Sequence, residues 1–209
     1  MKDDLEKIRR DLEEKEKVRE ELIKLSRDLR LNASKAIANI HANKMEKTEE
    51  YLRKAENLLK KVEEYRKYPE LFYLAHDALQ EFVEAFVFKH IVENMGLPEK
   101  LPFQIPQPVL GGLADVIGEL RRYSLSLMVK GEDLNKIRKI IEIMEEIYYT
   151  LIEFDFHDRL TGNLRPKLDV ARNSIERTKS DFIAARISRS VSHSFRSLPS
   201  RTRNTAGDP

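Results

Sequence analysis

Apolar side chains recur every three or four residues from Lys2 to about His41: Leu5, Ile8, Leu12, Val18, Leu22, Leu25, Leu29, Ala33, Ile37 and Ile40, with Lys15 as a weak spot. Residues so spaced share one face at 3.6 residues per turn, which predicts a long amphipathic helix. Its opening turns are so charged that they are expected to project from the domain or to meet a partner chain. A second helix is predicted from about Glu46 to Tyr65, with Tyr51, Leu52, Ala55, Leu58, Leu59 and Val62 inward and Pro69 closing it. The third, roughly Glu70 to Met95, is apolar on nearly every side through Phe82, Val83, Ala85, Phe86, Val87 and Phe88, as the centre of a bundle must be. Prolines 98, 102, 106 and 108 then mark the one substantial loop.

A fourth helix begins near Pro108 and runs to Lys130, with Gly111, Gly112, Ala114 and Gly118 making one side small, which suggests that a backbone or ligand comes close. Gly131 caps it, and a fifth helix follows from about Asp133 to Phe154. The sixth is expected from about Leu164 to Ala185. Together these elements predict an all-α fold, a bundle of about six or seven mostly long helices, in one domain over residues 1–187. From Ser188 the sequence turns Ser- and Arg-rich with almost no apolar repeat, and residues 188–209 are expected to be disordered.

Composition narrows the chemistry. Of 209 residues 35% are charged, yet the net charge is only +2, so no strong preference for an acidic or basic partner follows from the average. The absence of cysteine excludes disulfides, thiolate metal sites and cysteine nucleophiles, and fits a reducing compartment. The first residues are charged, and no apolar run reaches membrane-spanning length; the expectation is a soluble, cytoplasmic protein without membrane partners.

Against this background two acidic pairs stand out. In LQEFVEAFVFKH, Glu81 and Glu84 interrupt an apolar helix three residues apart, and Asp77 lies on the same line. Carboxylates are seldom held on a buried helix unless paired, hydrogen-bonded or bound to a metal. The fourth helix offers Asp115 and Glu119, four apart and again co-facial. Four acids on two neighbouring helices make a hard-oxygen site that suits Mg²⁺, or Mn²⁺, better than zinc. The competing reading is a solvated acidic stripe paired with lysines and arginines, and periodicity does not decide between them.

LQEFVEAFVFKH and GGLADVIGELRRYSL, in this order and joined by a proline-containing loop, resemble the two signature helices of the translin family in its catalytic, translin-associated factor X branch. KLSRD, Lys24 to Asp28, and the region of His41 resemble that branch's first helix, and the likeness covers roughly Lys17 to Ile187. The resemblance implies helical subunits assembling into a hollow homo-oligomer, octamer-like, in which catalytic subunits act as Mg²⁺-dependent endoribonucleases on single-stranded RNA. Glu81, Glu84, Asp115 and Glu119 match the family's acidic positions, which implies metal ligands and catalysis; translin itself lacks acids matching the first two. Arg122 matches a basic position that could hold the scissile phosphate. Arg165, Lys167, Arg172 and Lys179 resemble a basic stretch that could track the RNA backbone, while His90 and, more weakly, His41 match family positions. Duplex RNA and single-stranded DNA remain open as ligands. The alternatives are a noncatalytic, translin-like nucleic-acid binder and a coiled-coil adaptor using Leu5 to Leu29 as a seam.

Overall fold

The computed structural model describes residues 1–196, which form helices joined by short connections. The helices are α1 (Lys2–His41), α2 (Met45–Glu63), α3 (Pro69–Phe72), α4 (His76–Asn94), α5 (Pro106–Lys130), α6 (Leu134–Ile152), α7 (Asp158–Thr161) and α8 (Leu164–Arg196). No strand occurs among the described residues. The all-α expectation therefore holds, and none of these helices is long and apolar enough to cross a membrane.

α4 is the centre because its residues leave no polar face wide enough for solvent. Ala78, Leu79, Phe82, Val83, Ala85, Val87, Phe88 and Ile91 are all buried, and α1 and α5 pack on either side of it. α2 covers α1 from outside, while α8 and α6 close over α5. Burying a side chain as large as Phe82 or Phe88 contributes roughly 2–3 kcal/mol, so this helix anchors the bundle. Where α4 meets α5 the backbones come close: a Cβ on Gly112 would stand 2.7 Å from the carbonyl oxygen of Gln80 and 2.8 Å from Cβ of Val83. Gly118 is different, for a Cβ there would meet nothing within 4 Å.

Two boundaries differ from the sequence pattern. The expected third helix is broken into α3, a 3₁₀ turn over Tyr73–Ala75 and then α4, so the long central rod starts at His76. Its end is near the predicted one, with Met95 in the left-handed region at φ 54° as the cap. α8 runs on to Arg196, past Ala185 and past the domain boundary expected at residue 187. Neither Gly nor Pro lies between Pro166 and Pro199 to stop it, and the Arg189 guanidinium donates to the carbonyl oxygen of Glu132 at 2.7 Å, fastening the extension to the start of α6. The expectation of disorder for 197–209 falls outside the described residues. At the other end, α1 is 40 residues long and its first buried residue is Leu22. Leu5, Ile8 and Leu12 stay more than half exposed, so the charged opening turns do project from the body.

Candidate active site

The acidic residues reach a common region because α4 and α5 touch through glycine. Glu84 sits on the rim of α4 that faces α5, and it lines a groove of about 450 Å³ with Asp115, Gly118 and Glu119 of α5 and Pro166, Lys167 and Ser174 of α8. The bare Gly118 leaves that groove open. Glu81, one turn before Glu84, faces α1 instead: the Ser34 hydroxyl donates to Oε1, and Arg30 Nε lies 3.7 Å from Oε2.

Each carboxylate except Glu84 is held by neighbours. Gln80 Nε2 donates to Asp115 at 2.7 Å, and Lys167 Nζ bridges both Asp115 oxygens at 2.6 and 2.7 Å. Glu119 is hydrogen-bonded to Nε2 of His41, whose ring is 5.0 Å from that of Phe88, and Arg122 is 3.9 Å away on the same carboxylate. Glu84 has no hydrogen-bond or ion-pair partner among the described residues. Burial raises its pKa to about 8, with Asp115, Glu81 and Glu119 adding repulsion and Lys167 offsetting part of it. The four acids are thus electrostatically one cluster, and its least compensated member is protonated at neutral pH.

The donor set fits a hard divalent cation, since all four groups are carboxylates and Glu84 lacks a counter-charge. Their arrangement is not yet a coordination shell. Among the described residues no three His, Asp or Glu side chains converge tightly enough to hold a metal ion as they stand. The physical reason is visible in the contacts above: Glu81, Asp115 and Glu119 are turned onto Ser34, Gln80, Lys167 and His41, with the Lys167 ammonium supplying positive charge beside Asp115.

The other residues singled out by sequence disperse. Asp77 is seven residues before Glu84, about 10 Å along the helix axis, and it lines a different groove, against α1. His90 lies on the α2 side of α4 beside Arg53 and Glu93. Lys167 joins the acidic groove, but Lys179 is drawn between Glu145 at 2.7 Å and Glu176 at 3.2 Å, near α6. Arg165 pairs with Asp155 and Arg172 with Asp169, both on the surface. Arg122 remains largely exposed at the rim, whereas its neighbour Arg121 ties α5 to Thr178 and Asp181 of α8. Sequence reasoning missed Ser34, Gln80 and Arg30 and ranked His41 low. Gln80, adjoining Glu81 and opposite Gly111, carried a signal in the pattern, and His41 carried only its weak match to a family position; Ser34, 47 positions from the acid it contacts, carried none.

A family model for the translin family matches residues 2–181. The chain belongs to the translin family. An uncharacterized family relative, protein MJ0175 of Methanocaldococcus jannaschii, is 33% identical over 175 residues, spanning 82% of this chain and 78% of its own length. Among solved structures, that of AfC3PO superposes with a TM-score of 0.84 at 48% identity, covering 88% of this chain and 98% of the other. AfC3PO in complex with duplex RNA gives a TM-score of 0.81 at 47% identity, with 88% and 97% covered. Apo-NeC3PO, at 24% identity and a TM-score of 0.77 over 87% and 96% of the two chains, shares the translin-family fold.

Proposed function

We propose that this translin-family chain is a Mg²⁺-dependent endoribonuclease that hydrolyses single-stranded RNA inside an oligomeric shell. The observation that carries the reading is Glu84: a half-buried carboxyl with no partner among the described residues, its pKa lifted by burial and then by three other acids, beside an open groove. Such a group is costly unless a cation relieves it. RNA as the ligand is supported by AfC3PO, a relative of similar sequence over most of both chains that has been solved with duplex RNA.

In this reading Glu81, Glu84 and Asp115 would hold the ion, directly or through water. Mg²⁺ bound there would supply Lewis acidity, lowering the pKa of a bound water and offsetting charge on the phosphodiester. Glu119, braced by His41, completes the shell or takes the proton of that water as its oxygen attacks phosphorus. The P–O3′ bond breaks, its electron pair leaving on O3′, which takes a proton from solvent; the products are a 5′-phosphate on one fragment and a 3′-hydroxyl on the other. Arg122 steadies the phosphate oxygens at the rim. Lys167, which now bridges both oxygens of Asp115, would be free to contact the RNA backbone were a cation to take its place there. Arg165 and Arg172 exchange exposed, solvent-screened ion pairs with Asp155 and Asp169 for phosphate contacts, and Lys179 does so at the cost of two glutamate partners.

Labelled single-stranded and duplex RNA, incubated with Mg²⁺ or EDTA, provide the test. Wild-type protein cuts the single strand only with Mg²⁺, and Glu84→Ala or Asp115→Ala abolishes cleavage while RNA binding and assembly persist. Normal cutting by either variant overturns the site. One observation favours a second reading, noncatalytic RNA binding: Lys167 already neutralises Asp115. Salt-sensitive binding without Mg²⁺-dependent cleavage would establish that reading instead.

A further inference from the structure

A second groove, of about 440 Å³, lies between α1 and the start of α4 and is lined by Ser26, Arg27, Arg30, Ser34 and Asp77 among others. Arg27 and Arg30 are one helical turn apart on α1 and both line this groove. Arg27 has no ion-pair partner among the described residues, and Arg30 has only Glu81 at 3.7 Å. Ser26, 6% exposed, lines the groove, and its Oγ is buried without a hydrogen-bond partner. A buried hydroxyl left unpaired is a cost that the fold itself does not recover. Two guanidinium groups suit a phosphate. Asp77 repels a bare anion but accepts a hydrogen bond from a sugar hydroxyl, so the combined chemistry is that of a ribonucleotide rather than of a free phosphate.

One hydrogen bond links this groove to the acidic cluster. Ser34 lines the groove and donates to Glu81, and Glu81 precedes Glu84 by one turn of α4. We propose that this groove is a subsite for the nucleotide flanking the cleaved bond: Arg27 and Arg30 hold its phosphate, Ser26 donates to it, and Asp77 reads the ribose 2′-hydroxyl. This rests on the nuclease reading, because it takes the strand to run from Glu84 across Glu81 and into the groove.

The test is binding of the full chain to a fluorescent single-stranded RNA, and to DNA of the same sequence, in EDTA over a series of NaCl concentrations. R27A/R30A, both at exposed positions, keeps the wild-type Tm. It binds RNA about tenfold more weakly, and its log–log salt slope becomes shallower by about 0.7 for each phosphate that the two arginines no longer neutralise. D77N binds RNA and DNA more nearly alike than wild type does. Wild-type affinity and slope in R27A/R30A overturn the subsite, and an unchanged RNA-to-DNA ratio in D77N overturns the role of Asp77. If wild type cuts RNA with Mg²⁺ while R27A/R30A binds normally, the subsite fails alone; if wild type neither binds nor cuts RNA, the nuclease reading fails with it.

Discussion

Glu84 links stability to pH at the scale of a single side chain. The folded protein holds this proton up to a pH of about 8, whereas an ordinary glutamate gives it up near 4.5. Folding is therefore most favoured below the ordinary value, and stability falls as pH rises from there through about 8. A shift of this size corresponds to on the order of 5 kcal/mol at most. In EDTA, thermal melts of E84Q should match wild type near pH 4.5 and exceed it by several degrees at pH 8, because the amide has no charge to desolvate. Wild-type melts that do not change between those values would contradict the electrostatic account. Mg²⁺ should raise the wild-type Tm at pH 8 and leave that of E84Q nearly unmoved, a readout of binding independent of cleavage. Glu84 was conspicuous in the sequence because it interrupts an apolar run. Its isolation was not legible there, since that depends on which carboxylates find Ser34, Gln80, His41 and Lys167.

Among the elements, α5 has to be small where it crosses α4 and is free to be larger where it opens onto the groove. Gly112→Ala drives a Cβ into the Gln80 carbonyl and Val83, so it should destabilise by roughly 1–3 kcal/mol. Gly118→Ala meets nothing and removes backbone entropy from an exposed helical site, so it should stabilise by up to about 1 kcal/mol. Urea denaturation of the two variants checks both signs; equal effects would mean that the glycines are not used in these different ways. The sequence announced a small-sided helix but offered no means of separating the glycine that admits a helix from the one that borders a groove. Helix ends were similarly half legible. Asn43 and Gly131 close α1 and α5 near the expected places with φ of 56° and 74°, while α8 outran its apolar pattern because nothing in its sequence breaks a helix before Pro199.

For the molecule as a whole, the projecting start of α1 bears on assembly. Leu5, Ile8 and Leu12 form an exposed apolar stripe beyond the body of the bundle, and we expect it to be covered by another chain in the oligomer. Replacing all three with Gln should lower the mass measured by light scattering without lowering the Tm of the bundle, and an unchanged mass would place the subunit contacts elsewhere. Apolar periodicity by itself determined the helical class, the number of long helices and the central position of α4, because burial of one face is a local property of the chain. Motif order determined the family. Only the tertiary structure decided which charges meet: α1 brings Ser34 and His41 to the acids, α8 brings Lys167, and Asp77 is left to another groove. Ion pairs and hydrogen bonds act over a few ångströms between residues dozens of positions apart, a distance that no spacing along the chain encodes.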